Sequence, residues 1–411
     1  MRSHKGLLAA GVLGAALLAG MTAAAQEVEL VHDKGFWSEQ LQAVGDASEA
    51  ATGVRIVENA YGNPEQYKAF IQASIAGGSA PQMFNWWTGE TFNELVETGA
   101  IAPLNEQWEA MIDSGQYDPG AADLFRIGDD IFAVPMLLAR WVVLYNRPVF
   151  DELGLSEPQS WDELMAVAEA LKEAGHTPFN ASVHEGWRGF IWFQELMIRT
   201  DPDAYAGLHD GSVPYDGPEV RRAFEIWSDL YERGFFTDAR SNREIEDFAA
   251  GSAAMYLKGE WVIGSVAASG LAMEDLGAFI MPNVDADLPS AVIVESAPIV
   301  VSAAAIDDEN VRTALDFWTS VDGANAWAAA SGNYIGNLQA DPPNPIIAKI
   351  SDDMSEAGTA AINRWWEATP PELQGEFVAE LNRFMLNPTM ATAETVMSRM
   401  QALNADFWDN R

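Results

Sequence analysis

Tryptophan and carboxylate residues recur together where predicted strands end. In the stretch "MFNWWTGETF", Trp86 and Trp87 close a short apolar run, and Glu90 follows directly after Gly89. Neighbouring side chains of a strand point to opposite faces, so only one of the two rings can enter the core. An indole ring stacks on the apolar face of a sugar, while carboxylates and cations bind its hydroxyl groups. The stretch therefore indicates a carbohydrate contact, with Trp86 packed inward and Trp87 facing a cleft.

The chain has 15 tryptophans, which fall into two groups. We expect those on the apolar stripes of predicted helices to be core residues: Trp161, Trp192, Trp227 and Trp318. We expect those at loop positions beside charged or amide residues to line the ligand site: Trp37, Trp86 or Trp87, Trp187, Trp261, and Trp365 with Trp366. Packing of both Trp86 and Trp87 beneath a neighbouring helix is the alternative for that pair.

Sequence patterns that serve catalysis are missing. The five histidines are scattered, and there is no HExxH motif, no G-x-S-x-G nucleophile elbow and no Walker loop. The stretch "DPDAYAGLHDG" departs from a calcium loop, because Tyr205 stands at a ligand position and Gly207 comes one place late. Paired carboxylates would suit a glycosidase, but among 61 Asp and Glu residues such pairs arise by chance. We therefore expect a binding protein without catalysis, cofactor or metal.

The N-terminus predicts export. Arg2 and Lys5 precede an apolar stretch too short to span a bilayer, and Ala23-x-Ala25 is a small-residue cleavage site, so residues 1–25 are predicted to be a signal peptide. The chain has no cysteine, which excludes disulfides and the cysteine that a bacterial lipid anchor requires. We expect a monomer that diffuses freely in the periplasm.

The charge balance argues against two kinds of partner. There are 23 Lys and Arg against 61 Asp and Glu, a net charge of -38. Such a surface repels nucleic acid and anionic lipid head groups. Because 48% of the residues are hydrophobic, the sequence is typical of a folded protein with an acidic surface rather than a disordered chain.

Strand and helix patterns alternate along the first part of the chain, which predicts an α/β lobe with a largely parallel sheet. The apolar run "IFAVPMLLARWVVLYNRPVF" breaks this rhythm, and "SAVIVESAPIVVSAAA" is a second long β-rich stretch. A chain of 411 residues exceeds the usual size of one core, and it has no flexible linker, so we expect two lobes joined by ordered crossings. We predict that residues 27–139 with 297–350 form one lobe and residues 140–296 with 351–411 the other.

Five stretches resemble the periplasmic solute-binding proteins of ATP-binding-cassette sugar importers, the maltose-binding-type family 1. They are "DKGFW", "APQMFNWWTGETFNELVETGAIAPL", "LYNRPVFDELGLSEPQSWDELMAVAEALKEAG", "GSAAMYLKGEW" and "RWWEATPPEL". The resemblance covers essentially the whole chain after residue 25. It implies a type II two-lobe fold, a ligand cleft between the lobes that closes by hinge rotation, and delivery of a captured sugar to the membrane permease of the importer.

The resemblance also implies roles for single residues. Asp33 and Lys34 match a pair that holds sugar hydroxyls, Trp87 matches an aromatic sugar contact, and Glu90 matches a carboxylate contact. In the second lobe, Trp187 corresponds to an aromatic contact, Trp261 to the main stacking ring, and Trp365 with Trp366 to a third contact segment.

The ligand class follows from three further observations. Arg140 and Glu295 stand at the predicted crossings and serve either as hinge or as ligand residues. Ala139 replaces a residue that is often acidic in the maltose type, which argues against maltodextrin. A cleft rich in acceptors and poor in cations favours a neutral sugar or polyol, and "RWWEATPPEL" resembles the α-glucoside-binding branch, which implies a disaccharide or small glucoside such as trehalose or glucosylglycerol. The alternatives are a polyamine bound through Glu90 and Glu295, and a secreted glycosidase.

Overall fold

The computed structural model describes residues 26–410. The predicted signal peptide, residues 1–25, lies outside this range. The strands are β1 (Gln26–His32), β2 (Val54–Ala60), β3 (Met83–Asn85), β4 (Arg126–Ile127), β5 (Asp130–Ile131), β6 (Val134–Asn146), β7 (Thr177–Asn180), β8 (Ala253–Gly259), β9 (Leu276–Phe279), β10 (Ala291–Val301) and β11 (Ala360–Asn363).

Helices cover most of the rest of the chain. They are α1 (Ser38–Thr52), α2 (Pro64–Ala76), α3 (Glu90–Glu97), α4 (Asn105–Asp113), α5 (Pro119–Asp123), α6 (Arg147–Leu153), α7 (Trp161–Glu173), α8 (Phe190–Thr200), α9 (Pro202–His209), α10 (Pro218–Glu232), α11 (Glu244–Ala249), α12 (Ile263–Ala268), α13 (Glu309–Thr319), α14 (Val321–Ser331), α15 (Pro345–Ala357), α16 (Trp365–Ala368), α17 (Pro371–Leu386) and α18 (Met390–Asp409). Short 3-10 turns occur at Gly35–Trp37, Glu260–Val262 and Met273–Asp275. Within the described range, none of the helices combines the length and the apolar character needed to cross a bilayer.

A curled sheet runs through the molecule in the order β2-β1-β3-β10-β6-β8-β7, with β11 beside β10 and β9 beside β6. Strand β1 is parallel to both β2 and β3, as the alternation of strands and helices predicts. Strand β10 is antiparallel to both β3 and β6. The fold is thus mixed α/β with two lobes, as expected.

The long strands β6 and β10 are shared between the two parts of the sheet. Residues 134–140 of β6 pair with β10, whereas residues 141–146 pair with β8 and β9. Their mutual register shifts between Ala297 and Pro298, where Pro298 lies opposite Pro135. Proline has no N–H to give to the ladder, which explains why the pairing is irregular there.

Two clusters of buried apolar side chains form the cores. Trp318 lies in the first cluster, and Trp192 and Trp227 lie in the second, so these three residues are core residues as predicted. The prediction is wrong for Trp161, whose ring is only half-buried and lines a surface groove with Phe279 to Val284. Trp161 is the first residue of α7, and the buried residues of this helix are Leu164, Val167, Ala168 and Leu171 in the later turns. The Trp161 side chain therefore reaches only the edge of the core.

Candidate ligand-binding site

Strands β1 and β3 end side by side, and this brings Asp33 and Asn85 together. Asn85 Nδ2 donates to Asp33 Oδ1 at 2.8 Å, and the backbone N–H of Asp33 donates to Asn85 Oδ1 at 3.1 Å. Lys34 Nζ lies 3.1 Å from Asp33 Oδ1 and keeps 22% of its side chain exposed. Asp33 is therefore held rigidly in the wall of the lobe, while the ammonium of Lys34 reaches the surface beside it.

The prediction that Trp86 and Trp87 lie in a strand is wrong, because β3 stops at Asn85 and both residues follow it. Their rings touch, with centroids 4.9 Å apart, so the strand alternation that was expected to separate them does not apply. Trp86 is buried and its Nε1 donates to the carbonyl of Thr91 at 3.0 Å. Trp87 is half-buried and packs edge-on against Tyr67 at 5.8 Å. Of the two rings, Trp87 therefore has the surface that a ligand can reach.

Two other predicted residues, Trp37 and Glu90, are partly exposed. Trp37 is half-buried and packs edge-on against Trp327, with ring centroids 5.3 Å apart. Glu90 is the first residue of α3, where the helix dipole favours a negative charge, and it accepts a hydrogen bond from Asn93 Nδ2 at 3.0 Å.

A second group of predicted residues consists of aromatic rings that pack near Phe190. Trp187 and Trp261 are half-buried with centroids 6.3 Å apart. Phe190 packs against Trp187 at 6.1 Å and against Trp366 at 5.7 Å, and it stacks on the buried ring of Trp365. Trp187 thus contacts both Trp261 and Phe190, and Phe190 in turn contacts Trp366 and the buried Trp365.

Glu295 links this aromatic group to the strand β10. Its Oε2 accepts a hydrogen bond from Trp261 Nε1 at 2.9 Å and lies 2.7 Å from Nη1 of Arg364. Arg364 also binds both carboxylate oxygens of Glu367, and its guanidinium lies 5.7 Å from the ring centroid of Trp141. The carboxylate of Glu295 is therefore engaged in fixing the Trp261 ring and Arg364.

The segment around Arg364 and Trp366 also touches the loop that follows β3. Thr88 Oγ1 donates to Asn363 Oδ1 at 3.3 Å. The backbone of Gly89 lies so close to the carbonyl of Glu367 that a Cβ at this position would overlap it. Gly89 also has φ 78° and ψ -149°, a conformation open only to glycine. The loop between β3 and α3 is thus in contact with the segment that carries Arg364 and Trp366.

Arg140 lies apart from these rings, in a buried ion pair. Its Nε and Nη2 donate to Glu260 at 2.8 and 2.7 Å, and Nη1 donates to Ser351 Oγ at 2.7 Å. Nη2 also donates to the carbonyl of Ile347 at 3.1 Å. Both side chains of the pair are at least 95% buried. Arg140 therefore joins β6, the end of β8 and α15 where β6 changes its pairing partner.

Several residues of the site were not predicted from the sequence. Asn85, Lys258 and Arg364 are buried or nearly so and contact predicted site residues, and the buried Glu367 pairs with Arg364. Arg364 begins the quoted stretch "RWWEATPPEL", and Lys258 lies in "MYLKGEW". The sequence could have indicated these two residues because each lies within three positions of a predicted aromatic contact. Among residues 26–410, there is no group of three or more His, Asp or Glu residues arranged to hold a metal ion.

The family model for bacterial extracellular solute-binding proteins matches residues 43–354. The chain therefore belongs to the bacterial extracellular solute-binding protein family. An uncharacterized ABC transporter extracellular-binding protein of Pyrococcus horikoshii is 24% identical over 72% of the chain. A probable sugar-binding periplasmic protein of Brucella melitensis is 26% identical over 64%, and the alpha-glucosides-binding periplasmic protein AglE of Rhizobium meliloti is 26% identical over 46%. The alignments span 67%, 65% and 43% of these relatives' own lengths.

Solved structures confirm the two-lobe fold. The bacterial solute receptor AcbH, described as having an exclusive preference for b-D-galactopyranose, has a TM-score of 0.79 at 19% identity, covering 93% of this chain and 98% of that one. A chitin oligosaccharide binding protein has a TM-score of 0.74 at 19% identity, covering 92% and 98%.

Proposed function

We propose that the protein captures a neutral carbohydrate, a disaccharide or small glucoside, between its two lobes and delivers it to the permease of an ABC importer in the periplasm, without catalysis. The observation that carries this proposal is the pair of half-buried indole rings, Trp187 and Trp261, held 6.3 Å apart beside the strand β10. Rings fixed in this way offer flat apolar faces to the C–H surface of a sugar. Relatives named as sugar-binding and alpha-glucosides-binding proteins support the same ligand class.

The polar groups proposed to bind hydroxyls lie on the other lobe. Lys34 reaches the surface beside Asp33, and Glu90 stands at the start of α3. Ligands of open α/β folds bind at the carboxyl ends of the strands, which is where β1 and β3 place these residues. We propose that residues 27–139 with 297–350 and residues 140–296 with 351–411 are the lobes, and that a sugar contacting both stabilises their closed arrangement.

A polyamine would require carboxylates whose negative charge is not already compensated by a cation of the protein. Glu295 was one of the two candidates, but its carboxylate already lies 2.7 Å from the guanidinium of Arg364. Because that pairing compensates its charge, Glu295 gives a polyamine little to bind, and the contacts favour a neutral ligand.

The test is a thermal-shift screen of the protein without residues 1–25. The compounds are trehalose, glucosylglycerol, maltose, sucrose, galactose and, as the competing class, spermidine. A ligand that binds only the folded state raises Tm by mass action. We expect a shift with one or a few of the sugars and none with spermidine.

Two tryptophan variants make the screen specific to the site. We expect Trp261→Ala to abolish the sugar-dependent shift. Trp161→Ala is the matched control, because Trp161 is also half-buried but lies on the α7 groove, and it should keep the shift. A shift with spermidine alone, or a sugar shift that survives in Trp261→Ala, would refute the proposal.

A further inference from the structure

The ammonium group of Lys258 is buried without a hydrogen bond. Lys258 lies on β8, three residues before Trp261, and is 1% exposed. Its Nζ has no hydrogen-bond partner among the described residues, and Oε2 of Glu244 is 3.9 Å away, beyond hydrogen-bonding distance. Burying a cation in this way costs free energy of folding. A contribution to stability therefore does not explain why a lysine occupies this position.

The rings of the candidate site surround this ammonium. Nζ lies 4.6 Å from the ring centroid of Trp187, 5.2 Å from that of Tyr256 and 5.9 Å from that of Trp261. Cation–π contacts of this kind compensate part of the charge. They leave the three N–H donors of the ammonium without an oxygen acceptor.

The charged groups that face Lys258 are balanced. Glu244 accepts from the Tyr256 hydroxyl at 3.3 Å and pairs with Arg188 at 2.9 Å, and Arg188 also lies 3.2 Å from Glu185. Two cations therefore face two carboxylates, and Glu295, further away, is paired with its own arginine. A neutral acceptor such as a sugar hydroxyl fits this balance better than an additional anion. Burial lowers the pKa of Lys258 to about 7, in keeping with a cation that lacks acceptors.

The Trp187 ring covers the ammonium and follows a turn of unusual backbone conformation. Within residues 26–410, Glu185 is the one non-glycine residue with positive φ, at 62°, and Gly186 has φ 83°. Such conformations are sparsely populated and are typical of ligand clamps and switch segments. A cavity that Lys258 lines with Glu244, Tyr256 and Arg188 measures about 10 Å³, room for a single water molecule and not for a sugar ring, and Trp187 is not among its lining residues. The half-buried Trp187 ring, whose centroid lies 4.6 Å from Nζ, is the candidate for the group that must shift before a sugar reaches Lys258.

Building on the proposed function, we propose that Lys258 is a ligand-binding residue of the second lobe, whose ammonium donates to a hydroxyl of the bound sugar when the Trp187 ring moves aside. The bound sugar supplies the oxygen acceptor that the surrounding side chains do not. Removing the cation then has opposite effects on folding and on binding. Stability is kept or rises, because an ammonium buried without hydrogen-bond acceptors is gone, while affinity falls, because a hydrogen bond from a charged donor is gone.

The test is Lys258→Met, which keeps the length and apolar character of the side-chain stem. Isothermal titration calorimetry with trehalose, glucosylglycerol, maltose, sucrose and galactose is run on the wild type and the variant at pH 6, below the lowered pKa of the wild-type lysine. For a sugar that binds the wild type, we expect Kd to rise about 10-fold or more in the variant. Tm of the ligand-free variant should be equal to that of the wild type or higher.

The control is Lys172→Met. Lys172 also lies over an aromatic ring of the same lobe, 6.0 Å from the centroid of Phe235, but away from Trp187 and Trp261, and its removal should leave Kd unchanged. Unchanged affinity in Lys258→Met overturns the role of Lys258 and leaves the proposed function intact. A weaker affinity accompanied by a lower Tm marks Lys258 as structural and also overturns it. A wild type that binds none of the five sugars overturns both proposals.

Discussion

The indole Nε1 of Trp261 and the Oε2 atom of Glu295 are joined by a 2.9 Å hydrogen bond, and Arg364 lies 2.7 Å from the same oxygen. One carboxylate on the strand β10 thus fixes both the proposed stacking ring and the cation of the third contact segment. The sequence left Glu295 as either a hinge or a ligand residue. Its contacts favour a third role, in which it acts on the ligand through the orientation of Trp261.

Substitutions of Glu295 separate its hydrogen bond from its charge. Glu295→Gln keeps an oxygen acceptor for Trp261, whereas Glu295→Ala removes the acceptor and leaves Arg364 with Glu367 alone. We expect Glu295→Ala to lower the free energy of unfolding by about 1–3 kcal/mol and to weaken sugar binding about 10-fold. Glu295→Gln should weaken binding less. Urea denaturation and calorimetry measure the two effects, and equal losses of affinity in both variants would show that the bond to Trp261 is unimportant.

The buried pair of Arg140 and Glu260 is expected to be essential for stability. Arg140→Met leaves the carboxylate of Glu260 buried without its cation, which should cost about 3–5 kcal/mol of unfolding free energy in urea denaturation. The control is Arg222→Met, because Arg222 makes an equally close pair with Asp285 in which both side chains are at least 40% exposed. Exposed pairs contribute about 0–1 kcal/mol. Similar losses in the two variants would contradict the importance of burial at Arg140.

Gly89 is expected to tolerate no side chain. In Gly89→Ala the new methyl group meets the carbonyl of Glu367 and the backbone holds a conformation that only glycine adopts, so we expect a loss of about 2–3 kcal/mol and weaker sugar binding. Gly358→Ala is the control, since Gly358 has φ 61° but no atom near its would-be Cβ. It should cost about 1 kcal/mol and leave binding unchanged. Thermal unfolding measures both variants. An equal loss of unfolding free energy in Gly89→Ala and Gly358→Ala would contradict the prediction.

Lys258 is expected to make stability depend on pH. Its pKa is about 7 in the folded state and about 10.5 in the unfolded state, so between these values the unfolded chain binds the extra proton. Stability therefore rises with pH through this window, by up to about 1.4 kcal/mol per pH unit, and the cost of burying the ammonium is full below pH 7. The difference in unfolding free energy between the wild type and Lys258→Met, measured from pH 6 to 10, should shrink as pH rises. A difference that stays constant would contradict this assignment.

Local sequence patterns account for the alternation of strands and helices and for several helix ends. Helix α7 begins at a local cap, with Ser160 accepting from the backbone N–H of Glu163, and α1 ends at Gly53 in the left-handed conformation. These features depend on residues close in sequence, so the sequence displays them directly. The errors are at boundaries, where β3 stops at Asn85 and Trp161 falls at the edge of its core, because the neighbouring elements decide how far each one extends.

The sequence by itself determined the α/β class, the family resemblance and the aromatic residues worth testing, since residue type and spacing carry that information. Only the tertiary structure decided the partners of those residues. Trp261 meets Glu295 34 positions away, and Arg140 meets Glu260 120 positions away. It also left the ammonium of Lys258 without an acceptor beneath Trp187. Such pairings depend on how strands and loops distant in sequence pack against each other. The pattern of apolar and polar residues within one segment therefore cannot predict them.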